Sequence, residues 1–255
     1  MHALHKIFVF CALAGFALGG EIINGKKTKK NAMQYMASVQ SNKGHICGGF
    51  LISEDFVLTA AHCGKPTHVV LGTHNLRDYN KKMNYTVEVC KHPDYKGAVS
   101  GNDIMLLKLS RKAKLGNKSN IKTIDLPSPK MKLKENKKCR VAGWGWTKTG
   151  ANKIENDLQD MEVAVIDLKK CKKQWRELRR SVELPDNVIC AGGYNTKNGI
   201  CKYDSGGPLV CDNQAVGVVS FNCQGNCKYP NISNIYTDVS KFIPWINGIL
   251  KRKKC

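Results

Sequence analysis

Three short segments carry residue types that together could run acyl-transfer chemistry: Leu58-Thr-Ala-Ala-His-Cys63, Asn102-Asp-Ile-Met-Leu-Leu107 and Asp204-Ser-Gly-Gly-Pro-Leu209. His62 offers a base that titrates near neutrality, Asp103 a carboxylate to orient it, and Ser205 a hydroxyl that becomes a nucleophile once its proton is taken. Taken singly they are ordinary. A histidine beside a cysteine is usually structural, and an aspartate ahead of an apolar strand also serves turns. Ser205 between Asp204 and Gly-Gly-Pro is more telling, because such a turn leaves room for a substrate carbonyl. The chain order is His, Asp, Ser, whereas α/β-hydrolases run Ser, Asp, His. That rival arrangement also lacks its Gly-x-Ser-x-Gly elbow, since Tyr203 occupies the first glycine position.

Side chains so far apart in sequence need a framework to bring them together. The dominant pattern is short strands between turns, which predicts an all-β barrel or sandwich. Met33–Gln40, His45–Ile52, Phe56–Ala60, Val69–Gly72, Tyr85–Cys90 and Ile104–Leu109 precede a polar, Pro-containing stretch over 126–138. Cys139–Gly143, Leu158–Ile166, Pro208–Cys211, Ala215–Phe221 and Ile235–Val239 follow it. Two segments have helical spacing instead. Phe242, Trp245, Ile246, Ile249 and Leu250 form one apolar face of a C-terminal helix, and Leu168, Cys171, Trp175 and Leu178 form a shorter stripe. Lys169, Lys170, Lys172, Lys173, Arg176, Arg179 and Arg180 surround the second stripe, reading either as a solvated face or as a basic binding patch.

The N-terminus reads as a secretory signal over 1–19: a short basic start, an apolar run from Ile7 to Leu18, then small residues. The run falls short of the ~20 residues needed to cross a bilayer. Export places the cysteines in an oxidising compartment, where most should pair. It also makes Asn84-Tyr-Thr86, Asn117-Lys-Ser119 and Asn231-Ile-Ser233 glycosylation sequons. The net charge of +21 favours acidic partners over long range.

With these segments in hand, the whole mature chain resembles the chymotrypsin/trypsin family of serine proteases. It is most similar to the granule proteases of mast cells and cytotoxic lymphocytes (granzymes, chymases, duodenases), fish forms in particular. The resemblance implies an all-β fold of two six-stranded antiparallel Greek-key barrels packed face to face, with a C-terminal α-helix. The first barrel would span about 22–125, a linker 126–138, the second barrel 139–240 and the helix 241–251. It implies His62, Asp103 and Ser205 as a catalytic triad, and the backbone N–H groups of Tyr203 and Ser205 as the oxyanion site. Ile22-Ile-Asn-Gly25 resembles the family's mature start, with Gly20-Glu21 as an activation dipeptide, so that the Ile22 ammonium would pair with Asp204. Ser220, Phe221 and Asn222 would form the strand that pairs with substrate. Implied bridges are Cys47–Cys63, Cys139–Cys211, Cys171–Cys190 and Cys201–Cys227, with Cys223 as the alternative partner of Cys201. Cys90 and Cys255 fall outside the family's commonest bridges and are expected to join each other.

Two positions depart from the family. Gly199 lies at the base of the specificity pocket where tryptic enzymes carry Asp, so Ile200, Asn222 and Asn234 should leave a neutral, partly apolar cavity. Lys202 and Tyr203 stand beside the nucleophile where glycine usually precedes Asp-Ser. Glycine tolerates angles that a Cβ disfavours, so Tyr203 implies about 1–2 kcal/mol of local strain and a ring on the leaving-group side. Expected partners are protein or peptide substrates and acidic glycosaminoglycan or proteoglycan, with no specific nucleic acid and no transmembrane segment, the chain acting as a monomer. No cofactor or metal is expected; Thr73 stands where a calcium-loop carboxylate would, and Cys223-x-x-x-Cys227 has no second ligand pair at zinc spacing. The competing class is a catalytically weak or inactive cationic, polyanion-binding or antimicrobial protein on the same fold. The expected location is secreted, or stored in secretory granules.

Overall fold

Runs of valine, leucine, isoleucine and phenylalanine too short for helices pair into sheets whose inner faces must be covered, and closing a sheet on itself covers them without leaving an edge. The chain does this twice. The computed structural model describes residues 25–78, 80–147, 151, 153–178, 182–196, 199–222, 227 and 232–255. Residues 1–21, Ile22, Arg179, Arg180, Cys223 and Asn231 lie outside the described residues. The first barrel contains β2 (Met36–Ser41), β3 (Gly44–Ser53), β4 (Phe56–Thr59), β5 (His68–Leu71), β6 (Asn84–Lys91) and β7 (Met105–Leu109). These close in the order β2-β3-β4-β7-β6-β5, every pair antiparallel.

The second barrel repeats that order with β8 (Lys138–Gly143), β9 (Gln159–Ile166), β10 (Val188–Ala191), β11 (Pro208–Cys211), β12 (Gln214–Phe221) and β13 (Asn234–Asp238). It runs β8-β9-β10-β13-β12-β11 and closes through β11–β8. A short β1 (Lys26–Lys27) adds to the outside of β9. Phe50, Leu51, Phe56, Leu58 and Leu106 fill the first barrel, and Val141, Leu209, Val216, Val219 and Tyr236 the second. The two faces meet where β3 and β4 lie against β11 and β12.

Both expected helices form, as α1 (Leu168–Leu178) and α2 (Ile243–Arg252). A tight turn over Val239–Phe242 precedes α2, with the Asp238 carboxylate accepting from the Ser240 N–H, so the α-helix begins two residues later than the spacing suggested. Although α2 follows the last strand of the second barrel, Ile243, Ile246 and Ile249 bury into the first barrel's core. Each buried aliphatic side chain there contributes about 1.5–3 kcal/mol. The helix thus ties the halves together.

Among the described residues there are five disulfides: Cys47–Cys63, Cys90–Cys255, Cys139–Cys211, Cys171–Cys190 and Cys201–Cys227. Cys90–Cys255 joins β6 to the chain end across 165 residues. Replacing both partners by serine should lower unfolding stability by about 2–4 kcal/mol. Denaturant unfolding of the double variant beside the parent measures this, and an unchanged midpoint would contradict it.

Candidate active site

His62 sits on the tight turn Ala61–Cys63 that ends β4. Its neighbour Cys63 is bridged to Cys47 on β3, which fixes the turn to the barrel wall. Asp103 stands just before β7, after Asn102 in the left-handed region at φ 54°. The His62 backbone N–H donates to Asp103 Oδ1 at 2.9 Å, and His62 Nδ1 meets Oδ2 at 2.7 Å. An ionised carboxylate only accepts, so Nδ1 carries the proton and Nε2 is left with a lone pair. That is the tautomer a general base requires.

Asp103 is almost wholly buried, and burial alone would raise its pKa. The hydrogen bonds and charge of His62, together with the Ser220 hydroxyl at 2.5 Å from Oδ2, outweigh that effect and hold it below the ordinary carboxylate value. Thr237 Oγ1 donates to the Asp103 carbonyl at 2.9 Å. The sequence reading assigned Ser220 to the substrate strand only; its bond to Asp103 spans 117 residues and has no local signal.

Ser205 lies on the turn 204–207 between the barrels. Its carbonyl accepts from Gly48 N–H of β3 at 2.8 Å, while Gly206 N–H donates to Val219 O of β12 at 2.8 Å. Gly206, at φ 81°, has no space for a side chain: a Cβ would come within 2.1 Å of Thr59 Oγ1. Asp204 is completely buried beneath this turn, accepting from Gly145 N–H and Cys201 N–H at 2.9 Å each. Burial pushes its pKa up to about 7, against the opposing pull of those two donors.

The peptide ahead of Asp204 is held at both ends. Lys202 O accepts from Trp146 N–H at 2.9 Å, and all described peptide bonds are trans, so Tyr203 N–H points the opposite way. Tyr203 O accepts from His45 Nε2 at 3.2 Å. His45 Nδ1 in turn accepts from the Ser38 hydroxyl at 2.8 Å, to which Gln40 Nε2 donates at 3.0 Å. Complete burial lowers the His45 pKa to about 4, against the opposing backbone bond to Tyr203, so the ring is neutral and this tautomer is fixed. Tyr203 adopts φ 74° in spite of its Cβ. Its ring packs 5.9 Å from Trp146 and 6.4 Å from His45, and Lys202 Nζ lies 4.8 Å from the Trp146 ring centre. The sequence reading singled out neither His45 nor Trp146, because their roles come from loops that meet only in the fold.

A cavity of about 180 Å³ opens beside Ser205, lined by Ile200, Cys201, Lys202, Ser220, Phe221 and Asn222. Asn222 Nδ2 donates to Ile200 O at 3.0 Å, bridging its walls. Gly199 and Asn234 are buried but not among the described lining residues; Asn234 sits on β13 beside Gly192, its Nδ2 being 3.6 Å from where a Cβ on that glycine would lie. Cys47, Cys63 and His62 are the described residues whose donors cluster as metal ligands could. The sulfurs are joined in a disulfide and His62 is committed to Asp103, so they make no ligand set.

Two closed barrels with a histidine–aspartate pair and a serine turn at their junction define a two-barrel serine hydrolase. The family model described as Trypsin matches residues 22–246. Granzyme B of Rattus norvegicus is 39% identical over 249 residues, covering 94% of this chain and 96% of that protein. Duodenase-1 of Bos taurus is 38% identical over 242 residues, covering 92% and 91%. Among solved structures, human heparin binding protein superposes with a TM-score of 0.76 at 31% identity, covering 90% of this chain and 97% of that one. The chain belongs to the trypsin family of serine proteases, with serine-type endopeptidase as its enzyme class, and is similar to granule proteases within it.

Ser220→Ala should destabilise the fold by about 1.5–3 kcal/mol at neutral pH, the range for a hydrogen bond to a charged group. The bond depresses the pKa of Asp103, so its contribution is present above the ordinary carboxylate value and lost as pH falls through the folded one. Urea unfolding of variant and parent should therefore diverge at pH 7 and converge near pH 2. A constant difference across that range would show that Ser220 acts only through packing.

Proposed function

We propose that this protein is a granule-type serine endopeptidase that cleaves peptide bonds through an acyl-enzyme. The observation that carries the reading is His62 Nδ1 held at 2.7 Å from the buried Asp103 carboxylate, which leaves Nε2 basic. Ser205 attacks the scissile carbonyl while His62 takes its proton, then returns it to the leaving amine. Asp103 keeps the tautomer and stabilises the imidazolium. The N–H groups of Tyr203 and Ser205 receive the oxyanion, each such donor lowering the barrier by about 3–4 kcal/mol. The anchored Lys202 carbonyl supports this role for Tyr203. The small cavity at Ile200 and Asn222 has no acidic residue in its described lining, so it suits medium apolar or polar P1 side chains and offers no counter-charge to lysine or arginine. Secretion or granule storage follows from the signal and from the resemblance to granule proteases.

Activation follows removal of residues 1–19 as the signal and Gly20-Glu21 as the dipeptide. The new Ile22 ammonium then pairs with Asp204, a buried carboxylate that is otherwise costly to ionise. In the unprocessed chain the folded pKa of Asp204, about 7, exceeds the ordinary 3.8. Stability from this group is therefore full below the ordinary value and falls as pH rises toward 7. Processing should abolish that fall, and so should Asp204→Asn in the unprocessed chain. Denaturant midpoints at pH 4 and pH 7 for the three forms measure it; parallel behaviour in all three would exclude the switch.

A second reading is supported by the +21 charge, by Tyr203 at φ 74° and by the 31% identity to a heparin binding protein: polyanion binding with weak catalysis. A fluorophosphonate probe separates the two. Ser205 of the processed protein should label, Ser205→Ala should not, and Asp103→Asn should label about 10⁴-fold more slowly, as loss of the correct tautomer dictates. A folded, processed protein that leaves the probe unreacted points to the binding reading.

A further inference from the structure

Basic residues outside the active site are not equivalent. On α1, Lys170, Lys172 and Lys173 are matched by Glu135, Asp186 and Glu177 at 2.8, 2.6 and 3.9 Å, so much of that patch is neutralised. Elsewhere Lys27, Lys108, Lys112, Lys137 and Lys138 also face carboxylates. One cluster differs. Lys81, Lys82, Arg111, Lys114 and Lys118 all line a single cleft of about 670 Å³ on the first barrel, and no acidic residue is among its described lining. None of the five takes part in an ion pair with a described residue.

The cleft is built, not merely charged. Arg111 Nη2 donates to the carbonyls of Lys82 and Asn84 at 2.8 and 3.0 Å, and its guanidinium carbon lies over Tyr85, 3.9 Å from the ring centre. This immobilises the planar guanidinium and leaves its Nε and Nη1 hydrogens as separate charged donors for an acidic group. The back wall is equally fixed. Gly72, at φ 76°, runs so close to the 119–121 segment that a Cβ would meet Ser119 O at 2.6 Å. Beneath the cationic rim the half-buried Met83, backed by the buried Tyr85 and Ile121, makes an apolar floor.

We infer that this cleft is a docking site for an acidic peptide segment that also carries an aliphatic or aromatic side chain. The rim demands negative charge, and the floor demands an apolar group that can leave water. A peptide presents both within a few residues, whereas a sulfated polysaccharide has no apolar side chain to fill the floor. The cleft therefore holds a segment of a protein partner apart from the serine chemistry, and the inference does not rest on catalysis.

The test uses full-length protein carrying Ser205→Ala, so that binding is read without cleavage. Fluorescence anisotropy follows a short labelled peptide of glutamates interrupted by phenylalanine and isoleucine. Replacing its apolar residues by serine, or its glutamates by glutamine, should each weaken binding about tenfold or more. Lys82→Glu with Lys114→Glu and Lys118→Glu, all exposed positions, should do the same, while Lys169→Glu with Lys173→Glu on α1 should leave affinity within about twofold. Thermal unfolding establishes that both variants are folded, and the peptide replacements test the site without altering the protein. Equal affinity for the serine-substituted peptide would reduce the cleft to bulk charge attraction and overturn the inference. So would an undiminished affinity in the triple variant. A heparin oligosaccharide that binds the parent, loses affinity in the triple variant and displaces no peptide would assign the cleft to polysaccharide instead.

Discussion

A single hydrogen bond between the barrels, from the Gly48 N–H of β3 to the Ser205 carbonyl at 2.8 Å, sets the spacing on which the site depends. It requires two backbones to touch. A Cβ on Gly48 would lie 3.0 Å from Gly207 Cα, and one on Gly206 would strike Thr59 and the Gly48 carbonyl. The serine turn therefore belongs to one barrel by sequence and to the other by contact. His62 is held to the same strand from the other side through Cys47–Cys63, so Ser205 and His62 are both referenced to β3. Neither barrel alone could hold that geometry, which is why α2 returning to the first core matters to chemistry as well as to stability.

Two buried aspartates show how the same side chain is driven in opposite directions. Asp103 has a histidine, a hydroxyl and a backbone N–H aimed at it, and it stays ionised in spite of burial. Asp204 has two backbone donors and no described cation, and it is pushed toward neutrality. The difference between them is the set of side-chain partners, His62 and Ser220, that Asp103 has and Asp204 lacks among the described residues. Glycines at 143 and 145 make the space for Asp204, since a Cβ at either would fall within 2.5 Å of its carboxyl group. The same loop continues to Trp146, whose N–H fixes the Lys202 carbonyl. The surroundings of Asp204 and the orientation of the Tyr203 peptide are thus one structural problem.

What could be read in the sequence was what is written locally. His62, Asp103 and Ser205 stand in three short words that are distinctive in combination; the strand-and-turn rhythm indicates an all-β barrel or sandwich, and it is the resemblance carried by those words that implies two barrels. The two-residue β1 is too short to show a period, and β10 is legible as a strand only through its pairing with β9 and β13. Ser220 and His45 could be named only after distant loops were brought together. The basic clusters make the same point. The run of lysines on α1 is visible because it is contiguous, yet its neutralising acids come from segments 14 and 35 residues away. The unmatched cleft draws Lys81 and Lys82 from one loop and Arg111, Lys114 and Lys118 from another, so no window of sequence displays it.

The bond between Cys90 and Cys255 has a topological consequence. Among the described disulfides, Cys47–Cys63 closes within the first barrel, and three close within the second; only Cys90–Cys255 crosses between them. The lysine-rich connection over 110–137 has no strand of its own, and beyond the core residues Ala113, Ile121 and Ile124 its stretch 128–137 contains no buried residue. A cut within 128–137 would give two polypeptides still joined through that one bridge, each with its own barrel closed. The molecule is therefore built to survive as a nicked heterodimer, and on a reducing gel it would separate into two fragments that had been one particle in solution.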